Sequence, residues 1–311
     1  MADAQSSTTW SPCAGRTTAA CTSRAGVSTS LMELRWSSRH PDESQVRGLA
    51  KAHERRRQQS VTVPVRESEF PGPSKCEAAV VVTTSLVLVH SPLVGPDSWE
   101  AVAASLSRRG ERVALADLTN ALGSGPPYWP HEVEAIAAAI TCPAILVVHS
   151  RAGPLLPVAA RATRRVEGCV FVDARLPEPG ASWFATAPSE LAERLRRMGR
   201  DGWLPPWSDW WGPNELARLL PDAAVRARFV RGCPRLPLAL FEEVLPEVPG
   251  WPDAPCAYLR LSEEYREPCD EARRLGWPVI ELDSHHLGLI TDPETVTDAI
   301  LELVGQLLPR G

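Results

Sequence analysis

The sequence predicts an α/β domain: a doubly wound, mostly parallel sheet with a helical segment inserted before the last two strands. Three observations carry this. From Ala79 onward, short apolar runs alternate with amphipathic, helix-length segments. That is the order required by a parallel sheet covered on both faces. One apolar run, Ile145-Leu146-Val147-Val148-His149, ends on Ser150 and passes at once into small residues. The alternation then stops across residues 176–250 and resumes beyond them.

The elements follow in order. Ser85–His90 reads as an apolar strand. Ser98–Arg109 reads as a helix with Trp99, Val102 and Leu106 on one face. Arg112–Ala116 is a strand, and Pro130–Ile140 a helix opened by proline. Ala144–His149 is the strand before Ser150, Ala152–Arg164 the helix after it, and Cys169–Asp173 the next strand. Beyond the interruption come Cys256–Leu261 (strand), Pro268–Leu275 (helix), Val279–Leu282 (strand) and Pro293–Leu308 (helix). The interrupting stretch carries Trp183, Trp203, Trp207, Trp210 and Trp211, with amphipathic pieces at Glu190–Met198 and Asn214–Leu220. An insertion there would sit at the ligand end of the sheet and serve as a lid. Its tryptophans would either pack the lid onto the domain or line the pocket.

Residues 1–78 differ from the rest. They are rich in Ser, Thr, Arg and Gln and poor in periodic apolar positions, so they are expected to be a largely disordered extension. The working domain is expected at 79–311, with the lid at about 176–250. The chain has 311 residues and a net charge of −5, which implies no polyanion-binding surface, so a nucleic-acid partner is not expected. No run of about 18 apolar residues appears, so no membrane span is expected either. The eight cysteines are scattered without a Cys-x-x-Cys pair, which argues for reduced thiols, a cytoplasmic setting and no zinc site. No cofactor or metal is expected; the partner is a small-molecule substrate, and the oligomeric state stays open.

Ser150 stands in the strand-turn-helix context of a nucleophile elbow, which holds a serine hydroxyl above the end of a sheet. The usual glycines on either side are replaced by Val148 and Ala152. The alternative for this serine is the cap of an ordinary helix. Two further segments fall in matching order: His90-Ser91-Pro92-Leu93-Val94-Gly95-Pro96-Asp97-Ser98-Trp99 after the first strong strand, and Asp283-Ser284-His285-His286-Leu287-Gly288-Leu289-Ile290-Thr291-Asp292-Pro293 before the last helix. With these three motifs, residues 83–308 resemble the α/β-hydrolase superfamily, in its serine-nucleophile branch. The His90 loop and the late histidine segment are most similar to the small esterase and hydroxynitrile-lyase members.

The resemblance implies an α/β-hydrolase fold, an enzyme, and roles for particular residues. Ser150 would be the nucleophile and His286, seven residues before Pro293, its base; His285 is the alternative. Counting from Pro255 places the acid at Glu264, with Asp173 and Glu263 as alternatives. Arg151 N–H would supply one oxyanion donor. The second falls on Pro92, which has no N–H, leaving Leu93 N–H or the Ser91 hydroxyl as substitutes. The Arg151 side chain would bind an anionic substrate group or pair with an acid of the lid. Trp183, Trp207, Trp210 and Trp211 would line the lid pocket, while His90 and His149 would be structural. The leading expectation is a serine esterase or thioesterase acting on a small hydrophobic compound, with an anionic group if the Arg151 side chain faces it, compatible with secondary metabolism or detoxification. A lyase-type enzyme and a binding protein that has lost catalysis are the alternatives.

Overall fold

The computed structural model describes residues 84–308; the expectations for residues 1–78 lie outside them. Six parallel strands form the sheet: β1 (Ser85–Val89), β2 (Val113–Ala116), β3 (Ala144–His149), β4 (Val166–Val172), β7 (Cys256–Arg260) and β8 (Val279–Glu281). Strands β5 (Trp203–Leu204) and β6 (Leu236–Pro237) make a separate antiparallel pair. The sheet order is β2-β1-β3-β4-β7-β8. The chain runs outward from β1 to β2, then returns to lay β3 on the other side of β1. This reversal marks where the strand ends diverge and a ligand crevice opens.

The central strands are continuously apolar because both their faces are buried. Alternate residues divide between two cores. Val87, Val89, Leu146, Val148, Cys169, Phe171, Cys256 and Tyr258 face one. Leu86, Leu88, Ile145, Val147, Val170, Val172, Ala257 and Leu259 face the other. The first core is covered by helices α2 (Trp129–Ala139), α3 (Leu156–Thr163) and α7 (Arg266–Arg274). The second is covered by α1 (Glu100–Arg108) and α8 (Pro293–Leu307). This is the doubly wound arrangement expected.

Residues between β4 and β7 build a third apolar cluster. Helices α4 (Ser189–Met198), α5 (Pro213–Leu219) and α6 (Ala223–Gly232) contribute to it, together with Phe184, Trp207, Trp210 and Phe241. Leu93, Val94, Leu122 and Tyr128, from loops at the carboxyl ends of β1 and β2, join the same cluster. The α6 helix had no counterpart in the sequence reading. Asp222 caps it by accepting from Ala224 N–H and Val225 N–H.

Candidate active site

The register of the central strands brings the key residues together. His149 pairs with Val172 across β3 and β4, and Val172 pairs with Leu259 across β4 and β7. Ser150 and Asp173 therefore leave adjacent strands side by side. Both adopt left-handed backbone conformations, with φ of +58° and +42°. Such conformations cost of order 1–3 kcal/mol each and concentrate at functional positions.

The turn at Ser150 tightens into a 3-10 segment, Ser150–Leu155, before α3 begins at Leu156. The helix expected from Ala152 starts late because Pro154 has no N–H to return to the Ser150 carbonyl. That carbonyl instead accepts Arg175 N–H at 3.1 Å, so the chain after β4 lies across the elbow. The close approach falls at Gly153, where an added Cβ would lie 2.0 Å from the Arg175 carbonyl oxygen. Val148, at one of the usual glycine positions, points into the core with no exposure.

Ser150 Oγ lies 3.1 Å from His286 Nε2, and His286 Nδ1 lies 2.9 Å from Asp173 Oδ2. Asp173 is fully buried. Its Oδ1 accepts Leu261 N–H at 2.8 Å and Ser262 N–H at 3.0 Å, and its Oδ2 also accepts the Ser262 hydroxyl at 2.6 Å. Four donors thus meet one buried carboxylate, satisfying the condition for burying it. With Nδ1–H given to the carboxylate, His286 presents a bare Nε2 to the serine proton. An arrangement of this kind can take that proton as the oxygen attacks, then hand it to a leaving group.

The favoured acid position, Glu264, is not brought to His286, whose two ring nitrogens are already engaged. The reason lies in the chain after β7. Leu261 N–H and Ser262 N–H turn back onto Asp173, and residues Glu263–Tyr265 form a 3-10 turn. That turn directs Glu263 outward to Arg266 at 2.6 Å and leaves Glu264 on the cavity wall. His285 Nδ1 accepts Leu287 N–H at 3.2 Å and its Nε2 lies 3.1 Å from Thr291 Oγ1, so it shapes the loop before α8.

Two histidines brace the site. His149 is buried and its ring stacks on His286 with centroids 4.5 Å apart. Its Nε2 meets the His286 carbonyl oxygen at 3.1 Å. Burial, then the neighbouring His286, push its pKa well below the usual imidazole range, so it donates as a neutral ring. His90 Nε2 accepts Leu118 N–H at 2.9 Å, and its Nδ1 meets the Ser91 carbonyl at 2.8 Å, tying two strand ends together.

A cavity of about 760 Å³ opens beside His286. Trp183, Trp210, Trp211, Leu191 and Leu219 form its apolar wall; Arg218, Arg260, Glu264 and Asp283 are among its polar residues. This volume falls within the range for small-molecule sites. Trp207 does not line it: its ring sits edge-on to Trp211 and Phe229, each 6.0 Å away, and only 5% of the residue is exposed. Nor does Arg151. Its guanidinium pairs with Glu132 of α2 at 3.3 Å and donates to the Leu240 carbonyl at 2.8 Å. The partner acid is therefore on α2, and the inserted segment offers the Leu240 carbonyl and the Phe241 ring, whose centroid is 5.8 Å from the guanidinium carbon. Glu132 is fully buried; burial raises its pKa, against the pull of Arg151.

A family model described as the alpha/beta hydrolase family matches residues 86–299. The chain belongs to the alpha/beta hydrolase family. This hydrolase also resembles solved structures of the same fold. One is an extracellular alpha/beta-hydrolase from a Paenibacillus species (20% identity, TM-score 0.57, 73% of this chain and 100% of that one). Another is tomato methylketone synthase I complexed with 2-tridecanone (18% identity, TM-score 0.56, 73% and 100%). A third is a pyrethroid hydrolase from Sphingobium faniae JZ-2 (19% identity, TM-score 0.54, 71% and 97%). None of the curated proteins compared matches the chain.

One neighbour of Ser150 in this hydrolase escaped the sequence reading. The Tyr265 hydroxyl lies 3.3 Å from Ser150 Oγ, and its ring stacks on His286 at 4.9 Å with planes 2° apart. Its only sequence signal is its place, one residue beyond Glu264. Among the described residues, no group of three or more His, Cys, Asp or Glu side chains could hold a metal ion, and no helix is long and apolar enough to cross a membrane.

Proposed function

We propose that this alpha/beta hydrolase is a serine esterase or thioesterase that works through an acyl-enzyme. Ser150 is the nucleophile, His286 the base and Asp173 the acid that orients it. The observation that carries the reading is the Ser150–His286–Asp173 chain of hydrogen bonds, 3.1 and 2.9 Å long, on a serine held at positive φ. Attack by Ser150 on the carbonyl carbon passes the serine proton to His286 Nε2. Collapse expels the alcohol or thiol with that proton, and water then cleaves the acyl-enzyme by the same route. Residues 176–250 act as the lid of a domain spanning 79–311. The wall of tryptophans and leucines favours a small hydrophobic substrate, and an acidic group on it would compete with the carboxylates that already pair Arg218 and Arg260. Secondary metabolism or detoxification fits such a substrate. The described cysteines are free thiols, in keeping with a cytoplasmic enzyme.

The test is turnover of a panel of p-nitrophenyl esters and acyl thioesters by the wild type and Ser150→Ala. The reading expects a covalent acyl adduct on Ser150 and no turnover by the variant. Turnover that survives Ser150→Ala excludes it. A second reading, proton transfer without an acyl intermediate, is favoured by Pro92, which removes an amide from the expected oxyanion loop. Loss of activity on a non-ester substrate in Ser150→Ala, with no acyl adduct by mass spectrometry, would select that reading.

A further inference from the structure

The loop after β1 leaves a gap in the chemistry proposed above. Pro92 has no N–H, and the next two amides are engaged within the loop: Leu93 N–H to Ser91 Oγ at 3.4 Å and Val94 N–H to the Ser91 carbonyl at 3.0 Å. Attack on a carbonyl places negative charge on oxygen. A site left with a single backbone donor stabilises that charge poorly.

A donor stands next to the nucleophile from another direction. Tyr265 follows β7, and its hydroxyl is 3.3 Å from Ser150 Oγ. The direction of that contact follows from the rest of the chain. His286 gives its Nδ1 proton to Asp173, so its Nε2 takes the Ser150 proton, and the Tyr265 hydroxyl is then the donor to Oγ. The ring is held from two sides. It stacks on His286, and its turn is pinned through Ser262, whose N–H and hydroxyl both bind Asp173. Burial, then the charge of Asp173, raise the phenol pKa well above the ordinary value, so the phenol keeps its proton at neutral pH.

We infer that Tyr265 is a fourth catalytic residue, whose hydroxyl hydrogen-bonds the charge that develops when Ser150 attacks, replacing the loop amide that Pro92 removes. The inference rests on the serine-hydrolase reading and adds to it the source of the second donor. As the Oγ–C bond forms, the carbonyl π pair moves onto oxygen and the Oγ proton moves to His286. Tyr265 keeps its own proton and contributes only the hydrogen bond. When the pair returns, the bond to the leaving group breaks and that group leaves with the proton from His286.

The experiment compares wild type, Tyr265→Phe and Ser150→Ala. It measures the rate of Ser150 phosphonylation by a fluorophosphonate, and kcat and KM on a p-nitrophenyl ester across pH. Phenylalanine preserves the stacked ring and removes only the hydroxyl. The expected result is a roughly 100- to 1,000-fold fall in both kcat and the phosphonylation rate. KM should stay within about threefold and the acid limb of the pH profile should not move, because His286 and Asp173 are untouched. A wild-type rate in Tyr265→Phe overturns the inference. Faster labelling overturns it as well, and identifies the tyrosine as a barrier before the nucleophile. If the wild type is not labelled at Ser150, the serine-hydrolase reading fails and this inference falls with it. Labelled wild type with an indifferent Tyr265→Phe sinks only the inference.

Discussion

Two regions meet at the cavity, and they are built by different physics. The carboxyl edge of the sheet places Ser150 and Asp173 through backbone geometry. Strand register sets them side by side, positive φ angles aim them, and His149, Leu261 and Ser262 hold the partners in place. The segment between β4 and β7 instead offers short helices and stacked aromatic rings, cemented by burial rather than by a continuous hydrogen-bonded ladder. The difference teaches a division of labour. Under the proposed function, chemistry would reside where positions are overdetermined, and substrate fit where packing can be changed piece by piece. Substitutions at the edge should therefore act on kcat, and those on the cavity wall of the insert on KM.

The sharpest way to break this division is at the acid. Asp173→Asn should lower kcat by roughly 10⁴-fold, because the amide would hold the wrong tautomer of His286, whereas Glu264→Gln should stay within about twofold. Steady-state kinetics on any ester that the wild type turns over checks both. Comparable losses in the two variants would return the acid role to the loop after β7.

Within the insert, two tryptophans should part company. Trp207→Ala removes a buried ring and should cost about 3–5 kcal/mol of stability, read by chemical denaturation. Trp211→Ala, on the cavity wall, should raise KM about tenfold (a loss of about 1.4 kcal/mol in binding) with kcat nearly unchanged. A fall in kcat instead would join the insert to the chemistry and blur the division.

At the elbow, Gly153→Ala should destabilise the fold by about 1–3 kcal/mol by overpacking, because its Cβ meets the Arg175 carbonyl. A variant with the wild-type melting temperature would show that the chain after β4 can move away from the elbow.

A further effect concerns pH. His149 has its pKa lowered chiefly by burial, so the folded state binds fewer protons here than the unfolded chain does. Stability should be level above about pH 6.5 and fall as the pH drops below it, with a slope approaching 1.4 kcal/mol per pH unit. Denaturation midpoints from pH 8 to pH 5 test this, and His149→Gln should flatten the decline.

The central strands were legible because burial on both faces makes each a continuous apolar run, and the end of β3 located Ser150; the choice of His286 over His285 came from the family resemblance, by its distance from Pro293. The acid was not legible. Asp173 and Glu264 both follow apolar strands, and only the turn of Leu261 and Ser262 onto Asp173 separates them. The same turn brings Tyr265 inward, which no local pattern announces. Val148 looked like a departure from the elbow because the usual glycines are counted by position; the structure moves the requirement for a missing Cβ to Gly153. For Arg151 the expectation was a substrate anion or an acid of the lid, but its partner Glu132 lies on α2, in a contact between the elbow turn and a helix that sequence spacing does not reveal.

The most direct test of the central claim is intact-mass and peptide mapping after exposure to a fluorophosphonate, with wild type, Asp173→Asn and Glu264→Gln side by side. The account predicts a single adduct on Ser150, formed at similar rates in wild type and Glu264→Gln and far more slowly in Asp173→Asn. An adduct on another residue, or labelling of Ser150 that is indifferent to Asp173, would contradict it.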